Sequence, residues 1–148
     1  MAERTGRSID QFLAEARARI VRFAPEAAWA LSRAGGALIV DLRSSDERRR
    51  DGIVPGSLHV PRTVLEWRVD PESGWSNPEL DGRERRLILL CAHGYSSSLA
   101  AAVLVDLGRE AGDIEGGVVG WRDAGLPLSP APEPLLGVLP GMAPPDGR

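Results

Sequence analysis

The only cysteine of the 148-residue chain, Cys91, lies between an apolar run and a short polar loop. The apolar run 87–90 predicts a buried strand, and the apolar stretch 99–107 predicts a helix after the loop. Ligands of open α/β sheets bind at the carboxyl ends of strands, where this loop would lie. Its N–H groups and the helix dipole would stabilise a thiolate, the nucleophilic form. The pattern therefore indicates a catalytic cysteine, surrounded by Ala92, His93, Gly94, Tyr95, Ser96 and Ser97.

A second interpretation of Cys91 is purely structural. Free cysteines are among the most buried residue types and often act as small hydrophobic side chains. The loop after Cys91 is small, polar and contains Gly94, so it offers many N–H groups and little to pack. This composition favours the catalytic interpretation.

Composition and charge exclude several classes of function. The net charge is −3, which argues against a nucleic-acid interface, and all 18 basic residues are arginine, which excludes Schiff-base and P-loop lysine chemistry. One cysteine and two histidines allow no internal disulfide and make a metal site improbable, so we expect no cofactor. No apolar run approaches the ~20 residues of a membrane helix. We expect a cytoplasmic protein in which a free thiol persists.

Short apolar strands alternate with helical segments along the chain. The strands are predicted at 37–40, 58–60, 87–90 and around Ile114. The first helix is predicted from a capping box at Ser8 and Gln11, with apolar residues at helical spacing as far as Phe23. Alternation of this kind predicts an α/β fold with a mostly parallel sheet and helices on both faces.

The C-terminal residues are rich in proline. Seven prolines occur from Pro127 onward, within the last 22 residues. Because proline removes a hydrogen-bond donor, we expect an extended or flexible tail over 129–148. Truncation after Pro130 is then expected to leave the melting temperature nearly unchanged.

Four segments between about residues 24 and 128 form a recognisable series. They are Asp41-Leu42-Arg43 with Glu47, the turn from Gly52 to Ser57, the Cys91 loop, and Gly116-Gly117 with Trp121 and the stretch Ala124 to Pro127. In this order and spacing, the chain resembles single-domain rhodanese-like proteins. The resemblance implies a five-stranded, mostly parallel sheet over residues 24–128. Residues 1–23 are then an added N-terminal helical extension.

The resemblance also implies a sulfurtransferase. A persulfide on Cys91 would carry sulfane sulfur from a small-molecule or protein-bound donor to a thiol or cyanide acceptor. Asp41 and Arg43 would form a supporting pair under the loop, with a direct anion contact as the alternative role of Arg43. No nucleic acid, membrane or metal takes part in this scheme.

The loop departs from the family pattern at two positions. Thiosulfate-using members often carry C-R-x-G-x-R-[S/T], whereas Ala92 and Ser96 stand at the two arginine positions here. Each lost charge-assisted hydrogen bond is worth about 1.5–3 kcal/mol to a bound dianion. We therefore expect poor use of thiosulfate.

Individual loop residues have alternative roles. Gly94 permits backbone angles that a side chain would forbid. Ser96 and Ser97 can donate to the persulfide, while Ser97 or Ser98 is better suited to capping the next helix. His93 either tunes the thiolate or is an exposed loop side chain. Tyr95 lines the pocket mouth or folds back onto the core.

Two other functions compete with sulfur transfer. A cysteine phosphatase or arsenate reductase needs an arginine six positions after the cysteine, where Ser97 stands. A catalytically weak or inactive rhodanese-like binding module is the stronger alternative, because the loop arginines are missing.

Overall fold

The computed structural model describes residues 6–142, and its centre is a parallel five-stranded sheet. The strand order is β1-β5-β4-β2-β3, and every neighbouring pair is parallel. The strands are β1 Val21–Phe23, β2 Ala37–Asp41, β3 Leu58–His59, β4 Arg86–Leu90 and β5 Ala111–Ile114. The α/β class and a sheet of five strands are as the resemblance implies, although β1 lies before residue 24. The central strand, β4, is the one that leads into Cys91.

Six α-helices connect and cover these strands. They are α1 Ile9–Ala18, α2 Pro25–Arg33, α3 Ser45–Asp51, α4 Leu65–Val69, α5 Ser96–Asp106 and α6 Gly117–Asp123. Two short 3₁₀ helices, Arg62–Val64 and Pro71–Ser73, lie on either side of α4. Among residues 6–142, no helix is both long enough and apolar enough to cross a membrane.

The alternating direction of strand side chains divides the core into two clusters. One face of β4 carries Leu87 and Leu89, which pack with α5 through Ala101 and Leu104. The opposite face carries Ile88 and Leu90, which pack with α2 and α6, including the fully buried Trp121. Helices therefore cover both faces, and the first turn of α5 lies next to the end of β4.

The N-terminal segment differs from the predicted helix. The helix α1 ends at Ala18, after a capping box at Ser8 that matches the prediction. Residues 21–23 are not helical but form β1, which pairs with β5 at the sheet edge. The prediction was wrong here because Ile20 continues the helical spacing of apolar residues. Ile20 instead packs on the core from the turn after α1. Residues 1–5 of the predicted extension lie outside the described residues.

The C-terminal tail lies against the domain rather than apart from it. Ile53 and Ser129 exchange two backbone hydrogen bonds of 2.8 and 2.9 Å. The Pro140 carbonyl accepts a hydrogen bond of 2.7 Å from buried Arg68. The Gly141 carbonyl accepts one of 2.8 Å from the side chain of fully buried Asn77. The extended path fits the proline content, and these contacts attach residues 129–142 to the domain. Residues 143–148 lie outside the described residues.

Candidate functional site

Cys91 lies immediately after β4, at the carboxyl edge of the sheet, as the sequence predicts. The residue is 6% exposed, so the sulfur is largely shielded from water. Gly94 has a φ of +85°, and its N–H donates to Cys91 Sγ over 3.1 Å. An added Cβ at Gly94 would come within 2.8 Å of the backbone nitrogen of Gly116. The tight turn around the sulfur therefore requires glycine at this position.

Burial and hydrogen bonding act on the Cys91 thiol in opposite directions. Burial raises its pKa, because a low-dielectric surrounding disfavours the charged thiolate. Hydrogen bonds from the side chains of Ser97 and Ser96 and from the N–H groups of Ser97 and Gly94 outweigh burial. The net result is a lowered pKa, which is the condition for a nucleophilic cysteine.

Ser97 and Ser98 do not cap α5. The N-cap position is Tyr95, and no side chain caps it. Both serines are fully buried and donate their hydroxyls to Asp113 Oδ2, over 2.7 Å and 2.8 Å. Ser97 Oγ is also 3.2 Å from Cys91 Sγ, so it connects the sulfur to the carboxylate. The predicted capping role was therefore wrong for these two residues.

Asp113 is a fully buried carboxylate on β5. The parallel register places Arg22 of β1 opposite Asp113, on the same face of the sheet. Arg22 Nε donates to Asp113 Oδ1 over 2.9 Å, and Nη2 approaches Oδ2 at 3.3 Å. A buried carboxylate needs a charged partner of this kind. Asp113 thus joins the N-terminal strand to the cysteine loop.

Two arginines outside the loop hold its backbone. The Gly94 carbonyl accepts from Arg17 Nη2 over 2.8 Å and from Arg22 Nη2 over 3.0 Å. Arg17 Nε also donates to Ser98 over 3.1 Å, and its guanidinium lies 5.6 Å from the Tyr95 ring centre. Positive charge therefore reaches the loop from α1 and β1 rather than from the loop itself.

The remaining loop residues face outward to different degrees. Ala92 is half-buried, whereas His93 and Ser96 are exposed and Tyr95 is 62% exposed. The backbone of α6 fixes the loop from the other side, because the N–H groups of Val118 and Val119 donate to the carbonyls of Cys91 and Ala92. The loop backbone is therefore held in place, while the side chains of His93, Tyr95 and Ser96 are exposed to solvent.

Asp41 and Arg43 form a buried pair at the end of β2. Arg43 Nη2 donates to Asp41 Oδ2 over 2.8 Å, and both side chains are fully buried. The pair extends to the Gly52 carbonyl and to Arg48 Nε. Arg43 Nη1 has no hydrogen-bond partner among residues 6–142. These contacts hold the middle and the C-terminal end of α3 on the sheet, which fits a supporting role.

Sequence reasoning missed Arg17, Arg22 and Asp113. Arg17 and Arg22 lie in the segment interpreted as an added helix, and they are separated from Gly94 by 77 and 72 residues. Asp113 lies inside a short apolar strand, where a lone carboxylate needs a partner. This lone carboxylate in an apolar strand was the one signal in the sequence that a positively charged side chain faces β5.

Comparison with known proteins identifies the family of the chain. The family model of the rhodanese-like domain matches residues 24–124. The chain therefore belongs to the rhodanese-like domain family. The match begins directly after β1, so Arg17 and Arg22 lie before the matched residues.

Three relatives illustrate the range of the family. A thiosulfate sulfurtransferase GlpE from Stutzerimonas stutzeri is 36% identical over 102 residues, covering 68% of this chain and 84% of the relative. An HTH-type transcriptional regulator, Rv0324, from Mycobacterium tuberculosis is 32% identical over 97 residues, or 64% of this chain, which span only 38% of the regulator.

The third relative is a solved structure from Rhodopseudomonas palustris, RPA3614. It is described as a protein of unknown function and possible tyrosine phosphatase. It is 36% identical, with a TM-score of 0.79, and the match covers 87% of this chain and 99% of that one. The sulfurtransferase, the regulator and this structure carry different functional descriptions, so membership of the family does not by itself assign the chemistry.

Proposed function

We propose that this protein is a sulfurtransferase that moves sulfane sulfur through a persulfide on Cys91 to a thiol or cyanide acceptor. The observation that carries the proposal is the environment of the sulfur. Gly94 N–H donates to Cys91 Sγ over 3.1 Å, and the hydrogen bonds of the loop lower the pKa of the thiol despite its burial. The GlpE relative supports the same chemistry.

In the first step, the Cys91 thiolate attacks the sulfane sulfur of a donor. A bond forms between Cys91 Sγ and that sulfur, and the bond from the sulfur to the rest of the donor breaks. The leaving group takes the electron pair: a thiolate from a persulfide, sulfite from thiosulfate, or the enolate of pyruvate from 3-mercaptopyruvate. Loop N–H groups suit this step because they are already oriented toward the anionic sulfur.

In the second step, a thiolate or cyanide attacks the outer sulfur of the persulfide. The bond between the two sulfurs breaks, and its electron pair returns to Cys91 as the thiolate. The same N–H groups stabilise the anion at the start and at the end of the cycle. The side chains of His93, Tyr95 and Ser96 are exposed, so we expect donor and acceptor to approach the loop from this side.

A thiol-bound or monoanionic sulfane donor fits the loop better than thiosulfate. Ala92 and Ser96 bring no charge to the positions where arginines would contact a dianion. Arg17 and Arg22 bind the Gly94 carbonyl, and Arg22 is already paired with Asp113. Their charge therefore acts on the substrate through the loop rather than by direct contact.

The second candidate function is a rhodanese-like module that binds a partner or senses a small molecule. The regulator from Mycobacterium tuberculosis favours it, because its matched 97 residues are part of a much longer protein. The retained Gly94 turn and the lowered pKa of Cys91 favour catalysis, since an inert module gains nothing from an activated thiol. Phosphatase chemistry is disfavoured, because the oxyanion-binding arginine position is buried Ser97.

Steady-state kinetics separate the two candidates. Sulfur transfer to cyanide would be measured with thiosulfate, 3-mercaptopyruvate and a low-molecular-weight persulfide as donors, each with the Cys91→Ser variant beside it. A sulfurtransferase turns over at least one donor, loses that activity with Cys91→Ser, and uses thiosulfate with a high KM. Turnover that persists in Cys91→Ser contradicts the proposal. Absence of turnover with all three donors favours the module.

A further inference from the structure

The Ser97 hydroxyl has one proton and two acceptors in reach. Asp113 Oδ2 lies 2.7 Å from Ser97 Oγ, and Cys91 Sγ lies 3.2 Å from the same oxygen. When Ser97 donates to Asp113, its oxygen can only accept from the Cys91 thiol. A thiolate at Cys91 has no proton to donate. Its negative charge would therefore face a lone pair of Ser97 Oγ unless the Ser97 hydroxyl turns toward the sulfur.

Asp113 keeps partners whichever way Ser97 points. Ser98 donates to the same Oδ2 over 2.8 Å, and Arg22 forms an ion pair with the carboxylate. The loss of the Ser97 bond therefore leaves a buried carboxylate that is still paired and hydrogen-bonded. Ser98 is also 3.3 Å from the Gly94 carbonyl, so it has an alternative acceptor of its own.

We propose that the Ser97 hydroxyl is a two-position switch, donating to Asp113 while Cys91 is a thiol and to the sulfur once Cys91 is a thiolate. Asp113 is the positioning residue that sets the balance between the two positions. In this step only the S–H bond of Cys91 breaks, and its electron pair stays on the sulfur. The Cys91 proton leaves to solvent or an external base, and the hydroxyl rotates. The consequence for sulfur transfer rests on the proposed function, but the test does not.

The variants that test this inference leave the other charged residues around Cys91 unsubstituted. Those on the neighbouring elements form two sets, one at the loop and one at the end of β2. They are Arg17 on α1, Arg22 on β1, His93 in the loop, Glu115 after β5, and Asp41 with Arg43 and Arg48. None of these residues is itself substituted. Asp113→Asn removes the ion-pair partner of Arg22 in both Ser97 backgrounds, so this contribution cancels when the two shifts are compared.

The test measures the pKa of Cys91 from the pH dependence of iodoacetamide alkylation. Cys91 is the only cysteine, so labelling needs no assignment and no catalytic turnover. The proteins compared are the unmodified chain, Asp113→Asn, Ser97→Ala and the double variant. Circular dichroism and thermal melting verify the fold of each.

The switch predicts a specific coupling between the two residues. Asp113→Asn should lower the pKa of Cys91 by about one, because the carboxylate no longer holds the Ser97 proton. Ser97→Ala should raise the pKa, since the thiolate loses a donor. In the Ser97→Ala background, Asp113→Asn should shift the pKa much less. An equal shift in both backgrounds would mean that Asp113 acts by charge alone, and it would overturn the inference, as would no shift at all.

If Asp113→Asn does not fold, a second set of single and double variants, with Ser98→Ala in place of Asp113→Asn, tests the switch. Ser98→Ala removes a donor from Asp113 without touching the sulfur, so the carboxylate draws more strongly on Ser97. The pKa of Cys91 should rise in Ser98→Ala, and should not rise further when Ser98→Ala is added to Ser97→Ala. A rise of the same size in both backgrounds, or none in either, contradicts the switch. If the cycle holds but no persulfide forms, only the proposed function fails.

Discussion

The two ends of the chain lie outside the matched family residues, yet they have different relations to Cys91. The N-terminal segment, residues 6–23, contributes β1 to the sheet and holds the cysteine loop through Arg17 and Arg22. The C-terminal tail, residues 129–142, contacts Ile53, Arg68 and Asn77 instead. The first end therefore belongs to the site, whereas the second stabilises the domain at a distance from it.

Two glycines give the sharpest contrast between the site and the tail. Both Gly94 and Gly141 have positive φ, but an added Cβ meets backbone at Gly94 and side chains at Gly141. Side chains can move, whereas the Gly116 backbone cannot move without shifting the loop. Gly94→Ala should lower kcat/KM about 100-fold. Gly141→Ala should leave kcat/KM unchanged while lowering the melting temperature. Equal losses of activity would contradict the comparison.

Deletion of the tail after Pro130 is the next largest expected effect. The deletion removes the carbonyl acceptors of Arg68 and Asn77, two buried donors. We expect the free energy of unfolding to fall by about 2 kcal/mol, measured by urea denaturation. Sulfur transfer at a temperature where the variant is folded should be unaffected. Unchanged stability would instead support the expectation, drawn from the proline content, that the tail can be removed without loss.

Substitution of Arg17 tests the role of the N-terminal segment. Arg17→Met removes the charged donor from the Gly94 carbonyl and from Ser98. Such bonds are worth about 1.5–3 kcal/mol, so kcat/KM should fall about tenfold or more. Arg7→Met is the matched control, because Arg7 flanks the same helix and contacts Phe12 and Glu15 rather than the loop. Similar activity of the two variants would remove Arg17 from the site.

The smallest effect concerns charge within the loop. Ala92→Arg with Ser96→Arg should lower the KM for thiosulfate several-fold, mainly at low ionic strength, because salt screens exposed charges. Steady-state kinetics at low and high salt measure this. Strong thiosulfate turnover by the unmodified protein would show that Arg17 and Arg22 already supply the charge, and the N-terminal segment would then act on substrate as well as on the loop.

Much of the fold follows from local signals in the sequence. The capping box at Ser8 begins α1 as predicted, and the apolar run before Cys91 forms the central strand. Four of the five strands were recognised because each is a short apolar run between turn residues. The turn at Gly94 was also predictable from local sequence, because Gly94 lies in a short polar loop between an apolar run and a helix.

The missed features depend on pairings between distant residues. Val21–Phe23 has only three residues, and it becomes a strand because β5, about 90 residues later, offers an edge. Arg22 reaches Asp113 only through that pairing. The roles of Ser97 and Ser98 depend in turn on Asp113, so a local capping rule could not reveal them.

The central claim is that sulfur passes through Cys91, and intact-mass spectrometry tests it most directly. The protein would be incubated with a persulfide donor, desalted and weighed, then treated with cyanide and weighed again. If sulfur passes through Cys91, the protein gains the mass of one sulfur atom, cyanide removes it, and Cys91→Ser shows no gain. An unchanged mass in the folded, alkylation-competent protein, or a sulfur gain that persists in Cys91→Ser, would contradict it.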